Sequence, residues 1–74
     1  MASLSAREQA YQTIRSRIIT MELKPGDPLN DRELAEQMGI SRTPMREALL
    51  MLSLDRMVDI KPQSGTHVAP INLK

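Results

Sequence analysis

Asn30–Leu52, NDRELAEQMGISRTPMREALLML, reads as two helical stretches meeting at a tight corner. Asn30 offers a side-chain acceptor to the free N–H groups of a first turn. Glu33, three residues on, stands where a carboxylate reaches back to complete a capping box. Leu34, Ala35 and Met38 fall on one helical face. Gly39 then supplies the residue that turns left-handed at least cost, so a short helix should stop there. Ile40 plugs the corner. Ser41 is placed to cap the next helix, with Pro44 in its first turn; Thr43 as cap and Pro44 as the first helical residue is the rival register. Two helices around a glycine corner form a helix-turn-helix, whose second helix enters the major groove of DNA when the motif is used for that purpose.

Projection at about 100° per residue gathers Met45, Ala48, Leu49 and Leu52 on one side of the second helix. Arg42 and Arg46, one turn apart, lie toward its edge, and Thr43 and Glu47 face away. An apolar side pins such a helix and leaves its other side free. Arginine suits that free side because its planar fork takes O6 and N7 of guanine together, or clamps a phosphate, and keeps its charge throughout. The competing account is a solvated charged face on an ordinary amphipathic helix.

Composition narrows the choice of function. A chain of 74 residues makes one small domain, and with no Phe, no Trp and a single Tyr11 its core must be filled by aliphatic side chains and six methionines. The absence of cysteine excludes a disulfide framework and thiolate metal sites, in keeping with a cytoplasmic setting. No apolar run is long enough to cross a bilayer, and none has the layout of a secretory signal, so no membrane partner is expected. One histidine and scattered carboxylates give no nucleophile with its base, so the chain is not expected to be an enzyme or to need a cofactor. A net charge of +1 is small for a protein that grips phosphates wholesale. Acidic Glu33, Glu36 and Glu47 share the motif with Arg32, Arg42 and Arg46, so any binding surface is a few placed arginines rather than a basic sheet.

The flanking segments frame the motif. Ser5 with Glu8 makes another capping box, and Tyr11, Ile14, Ile18 and Met21, with Ala10 beside them, give a first helix over roughly Ala6 to Met21. Tyr11 is read as a packing residue rather than a base-stacking one. LKPGDPL, from Leu23 to Leu29, breaks the period with Pro25 and Gly26 at the centre of a type II turn, and a very short strand is possible there. The second motif helix is expected over about 42–56, and Leu50, Met51 and Leu54 leave it apolar nearly all round. The first helix or the terminal segment should therefore cover the extra side. VDIKPQSGTHVAPI, from Val58, alternates, turns at Pro62 to Gly65 and returns through Thr66, His67 and Val68 as a hairpin. Gly65 is accounted for by the turn alone; a role at the tip depends on the neighbouring motif.

LAEQMGISRTPMREAL, preceded by LKPGDPLNDRE and followed by SGTHV, resembles the GntR superfamily of bacterial transcription regulators, and TPMREAL resembles its FadR-like branch. The resemblance runs from Tyr11 to Val68. It implies a mainly α fold with a small β-hairpin: a winged helix-turn-helix of three helices plus a wing, with the recognition helix at 42–56 in the major groove and the wing tip 62–66 at the backbone or minor groove. Carried over position by position, Arg32 contacts backbone or the groove edge, Arg42 and Arg46 read guanine or hold phosphate, Ser41 and Thr43 bind phosphate, and Ser64 with Gly65 serve at the tip. It also implies a double-stranded, pseudo-palindromic operator, a homodimer in the full-length protein, and an effector metabolite bound by a C-terminal domain absent from these residues. On that view residues 1–4 are frayed, 69–74 begin a linker, and the isolated chain is compatible with a monomer. Four positions depart from the family pattern: Met21 stands where glycine is frequent after the first helix, Asp55 and Arg56 replace a frequent Glu and Gly before the wing, and His67 stands where an aromatic residue is common. The missing glycine at Arg56 implies a recognition helix that runs on or bends into the hairpin. A winged helix used for protein or RNA contact is the alternative function.

Overall fold

The computed structural model describes residues 4–70; the expected frayed start at 1–3 and the expected linker at 71–74 lie outside them. Three helices and three short strands follow in the order α1 (Ala6–Ile19), β1 (Pro28–Leu29), α2 (Asp31–Met38), α3 (Arg42–Leu54), β2 (Val58–Lys61) and β3 (Gly65–Val68). α1 opens with the full capping box. The Ser5 hydroxyl accepts from the Glu8 amide, and the Glu8 carboxylate accepts from the Ser5 amide. At α2 only half of the expected box forms: Asn30 Oδ1 accepts the Glu33 N–H at 3.0 Å, and the Glu33 side chain makes no return bond. Ser41 caps α3 by backbone conformation, which settles the register against Thr43, although its hydroxyl makes no capping bond.

All three helices end at a left-handed residue. Gly39, at φ 69°, stops α2, and the Ile40 N–H closes back onto the Ala35 carbonyl in the six-to-one bond of a Schellman turn. Arg56, at φ 65°, does the same for α3: its N–H reaches Ser53 O, and the Met57 N–H reaches Leu52 O. The expected continuation to residue 56 is therefore corrected, because Arg56 adopts the glycine conformation rather than prolonging the helix. Met21, at φ 68°, likewise leaves α1, which stops at Ile19 with Thr20 as its cap. Its side chain, placed on the apolar face by periodicity, is exposed instead.

The segment between α1 and α2 turns at Pro25 and Gly26, where Asp27 N–H donates to Lys24 O at 2.9 Å and Gly26 takes φ 88°, as a type II turn requires. β1 then pairs antiparallel with β3, giving the sheet order β1-β3-β2. Val58 pairs with Val68 and Lys61 with Gly65, so the predicted hairpin is two-thirds of a three-stranded sheet. Val58 and Val68 are buried. Ile60, on the same face as Val58 but two residues nearer the tip, has passed the edge of the core and is exposed.

The core draws Ala10 and Ile14 from α1, Leu29 from β1, Leu34 and Ala35 from α2, Met45, Ala48, Leu49 and Leu52 from α3, and the two valines. α1, α2 and β2 all pack on α3. They do not cover all of it: Leu50 and Leu54 remain exposed, Leu54 at 76 %, contrary to the expectation that the first helix or the terminal segment would shield them. Tyr11 is partly buried against the core and its hydroxyl donates to Asp55, joining α1 to the end of α3. Ala69, assigned from sequence to the linker, is buried, and its N–H donates to Met57 O.

Arg56→Gly should raise the melting temperature. Left-handed backbone costs a side-chain-bearing residue about 1–2 kcal/mol, and glycine gives back about 0.5–1 kcal/mol through unfolded-state entropy. A net gain of about 0.5–1 kcal/mol corresponds to about 2–8 °C in a domain of this size. A calorimetric scan showing a lower melting temperature would mean that the Arg56 side chain holds the turn by contacts instead.

Candidate nucleic-acid interface

Burial of Met45, Ala48, Leu49 and Leu52 fixes the rotation of α3 about its axis. The opposite side is thereby committed to solvent. Arg42 is the first residue of α3 and Arg46 lies one turn on; their side chains are 52 % and 61 % exposed, and no hairpin residue is bonded to either. Ser41 and Thr43 are exposed beside them at the same end of the helix. With its hydroxyl free of capping duty, Ser41 can meet an outside group.

Both arginines converge on Asp31, the first residue of α2. Arg46 Nε donates to Asp31 Oδ2 at 2.7 Å, and Arg42 Nη2 lies 3.5 Å from Oδ1. One carboxylate thus ties the start of α2 to the start of α3 across the corner. The Arg46 hydrogen bond, and then the nearby charges of Arg42 and Arg46, hold the Asp31 carboxyl below the usual carboxylate range against the opposing effect of burial. Asp31 is the member of this site that sequence reading missed. Its partners are 11 and 15 residues away in the chain, and at the opening of a helix an acidic residue already has an ordinary explanation in the helix dipole. Only the folded corner discloses the second role.

Arg32 follows Asp31 and is exposed. Glu47, on the outer side of α3, stands 3.9 Å from Arg7 of α1 in a loose pair whose two side chains are both half-exposed. Such a pair contributes little to stability. Ser64 and Gly65 are exposed at the turn of the wing, where Gly65, at φ 88°, sits opposite Lys61. The structure brings Arg42, Arg46, Ser41 and Thr43 together at one helix end with Arg32 adjacent through Asp31; the wing residues form a separate exposed point with no bond to that group. Among the described residues no group of three or more acidic or histidine side chains is placed to share a metal ion, and no helix is long and apolar enough to cross a membrane.

The family model of bacterial regulatory proteins of the gntR family matches residues 6–68, which takes in every helix and strand. The chain belongs to the GntR family. A transcriptional regulator of Streptomyces ambofaciens from an unstable DNA locus is 39 % identical over 66 residues, covering 89 % of this chain and 28 % of that protein. The Uxu operon transcriptional regulator of Escherichia coli is 36 % identical over 73 residues, covering 92 % of this chain and 28 % of its own length. Among solved structures, the AraR DNA-binding domain in complex with operator ORX1 superposes at a TM-score of 0.82 with 28 % identity, covering 90 % of this chain and 82 % of that one. The GntR chain described here therefore spans under a third of the length of these two regulators.

The Asp31 linkage has a definite sign. A carboxyl whose pKa is lowered on folding stabilises the fold above its unfolded value of about 3.9, and that contribution is lost as pH falls through the lower folded value. In urea titrations the stability of the natural chain relative to Asp31→Asn should therefore shrink below about pH 4. A difference that stays constant down to pH 2 would show that the carboxylate charge is not coupled to the two arginines.

Proposed function

We propose that this chain binds double-stranded DNA sequence-specifically, with α3 in the major groove. The observation that carries the reading is the exposed pair Arg42 and Arg46 at the start of a helix whose opposite side is wholly committed to the core. A major groove about 12 Å wide admits a helix, and guanidinium groups on its leading turns reach base edges. In this reading Arg42 and Arg46 read guanine or hold phosphate, Ser41 and Thr43 bind phosphate, and Arg32 reaches the backbone at the groove edge. The wing tip 62–66, with Ser64 and Gly65, meets the backbone or minor groove. The operator complex of the structurally similar AraR domain supports this choice over a protein- or RNA-binding use of the fold.

The longer regulators that the chain matches support placing it as the DNA-binding part of a larger transcription regulator. Its resemblance to the family adds, as part of this proposal, a metabolite effector and a homodimer on a pseudo-palindromic operator. The run Thr43 to Leu49, TPMREAL, supports the FadR-like branch. The function needs no catalytic step and no cofactor, and it belongs in the cytoplasm.

Arg46→Ala should weaken binding to a duplex selected from a random pool by about 1–3 kcal/mol, with circular dichroism unchanged. Binding by the natural chain should also fall as salt rises, through counterion release. Equal binding by mutant and natural chains in a fluorescence titration would remove Arg46 from the interface.

A further inference from the structure

The Asp31 bridge consumes a particular edge of Arg46. The carboxylate takes Nε, at 2.7 Å, and among the described residues neither terminal nitrogen of the guanidinium has an intramolecular partner. Those two nitrogens form the end-on fork that O6 and N7 of guanine accept in parallel. Arg42 gives Asp31 one terminal nitrogen at the limit of hydrogen-bond distance and is held more loosely. Asp31 is also the most sheltered of the three, with a side chain 24 % exposed, so the carboxylate is the fixed point and the arginines are the arms.

The same carboxylate alters what the arms attract. Two guanidiniums and one carboxylate carry a combined charge of +1 rather than +2. A phosphate, present in every DNA sequence, is an anion and meets partial repulsion from Asp31. The acceptor edge of guanine is neutral and meets little. A negative charge at this position therefore subtracts more from backbone contact than from base contact.

We infer that Asp31 is a specificity-determining residue of the DNA interface: it positions the Arg46 fork for a base edge and suppresses sequence-independent attachment to phosphate. This rests on the DNA-binding reading above. Asp31 acts through the two arginines and need not touch DNA itself.

Two substitutions separate position from charge. Asp31→Asn keeps an oxygen that can accept from Arg46 Nε and removes the charge; Asp31→Ala removes both. Each is compared with the natural chain by fluorescence anisotropy on a duplex selected from a random pool and on a scrambled duplex of the same length and composition, across a salt series. Asp31→Asn should bind the scrambled duplex about twofold to fivefold tighter, the scale of an exposed charge pair, with a steeper salt slope and a smaller gain on the selected duplex. Asp31→Ala should lower the selected-to-scrambled ratio further, because affinity for the selected duplex falls as the fork loses its anchor. An unchanged ratio and salt slope in both variants would overturn the role of Asp31 while leaving DNA binding intact. A natural chain that does not distinguish the two duplexes would instead overturn the DNA-binding reading, and this inference with it.

Discussion

The burial of one side of α3 constrains everything else in this molecule. Met45, Ala48 and Leu52 are fully removed from water and Leu49 nearly so. Rolling the helix to hide its arginines would return those side chains to solvent. Exposing a buried Leu or Met costs about 1.5–3 kcal/mol each, a large part of the stability a domain of this size possesses. The outward face of Arg42 and Arg46 is thus a consequence of where the methionine and leucines must be. α1, α2 and the sheet are arranged to supply the other half of that contact.

Against this scaffold the local charge pattern is sparing. The chain has ten Lys and Arg against nine Asp and Glu, so an interface built on bulk charge is not available to it. Charges on the exposed side of α3 are instead matched to neighbours: Arg42 and Arg46 to Asp31 of α2, Glu47 to Arg7 of α1. Matching of this kind favours recognition by placed hydrogen-bonding groups over attachment by field. It also draws the helix-turn-helix corner together through Asp31, so that structural support and recognition use the same side chain.

Sequence periodicity identified the buried side of α3 residue for residue, the Asn30 and Ser5 caps, the stop at Gly39 and the turn at Pro25 and Gly26. These are local rules, in which a residue's role follows from neighbours within one or two turns. What escaped was set by distant chain. Met21 and Arg56 are not residue types that announce a left-handed stop, and only the need to redirect the chain onto the core puts them there. The third strand, Pro28–Leu29, was suspected, but its partner β3 lies about forty residues further on. Asp31 was hidden for the same reason. Arg42 and Arg46 stood out from their place on the helix projection, whereas the roles at 32, 41, 43, 64 and 65 came from family resemblance rather than from spacing.

The proposed DNA-binding surface of this protein is the arginine-bearing end of α3. Amide chemical-shift mapping of the isotope-labelled chain during titration with a selected duplex tests it directly. The largest changes should cluster at 31–32, 41–43 and 46, with a second group at 63–66. Changes confined to the exposed Leu50 and Leu54 face, with the amides of Arg42 and Arg46 unmoved at saturation, would contradict it.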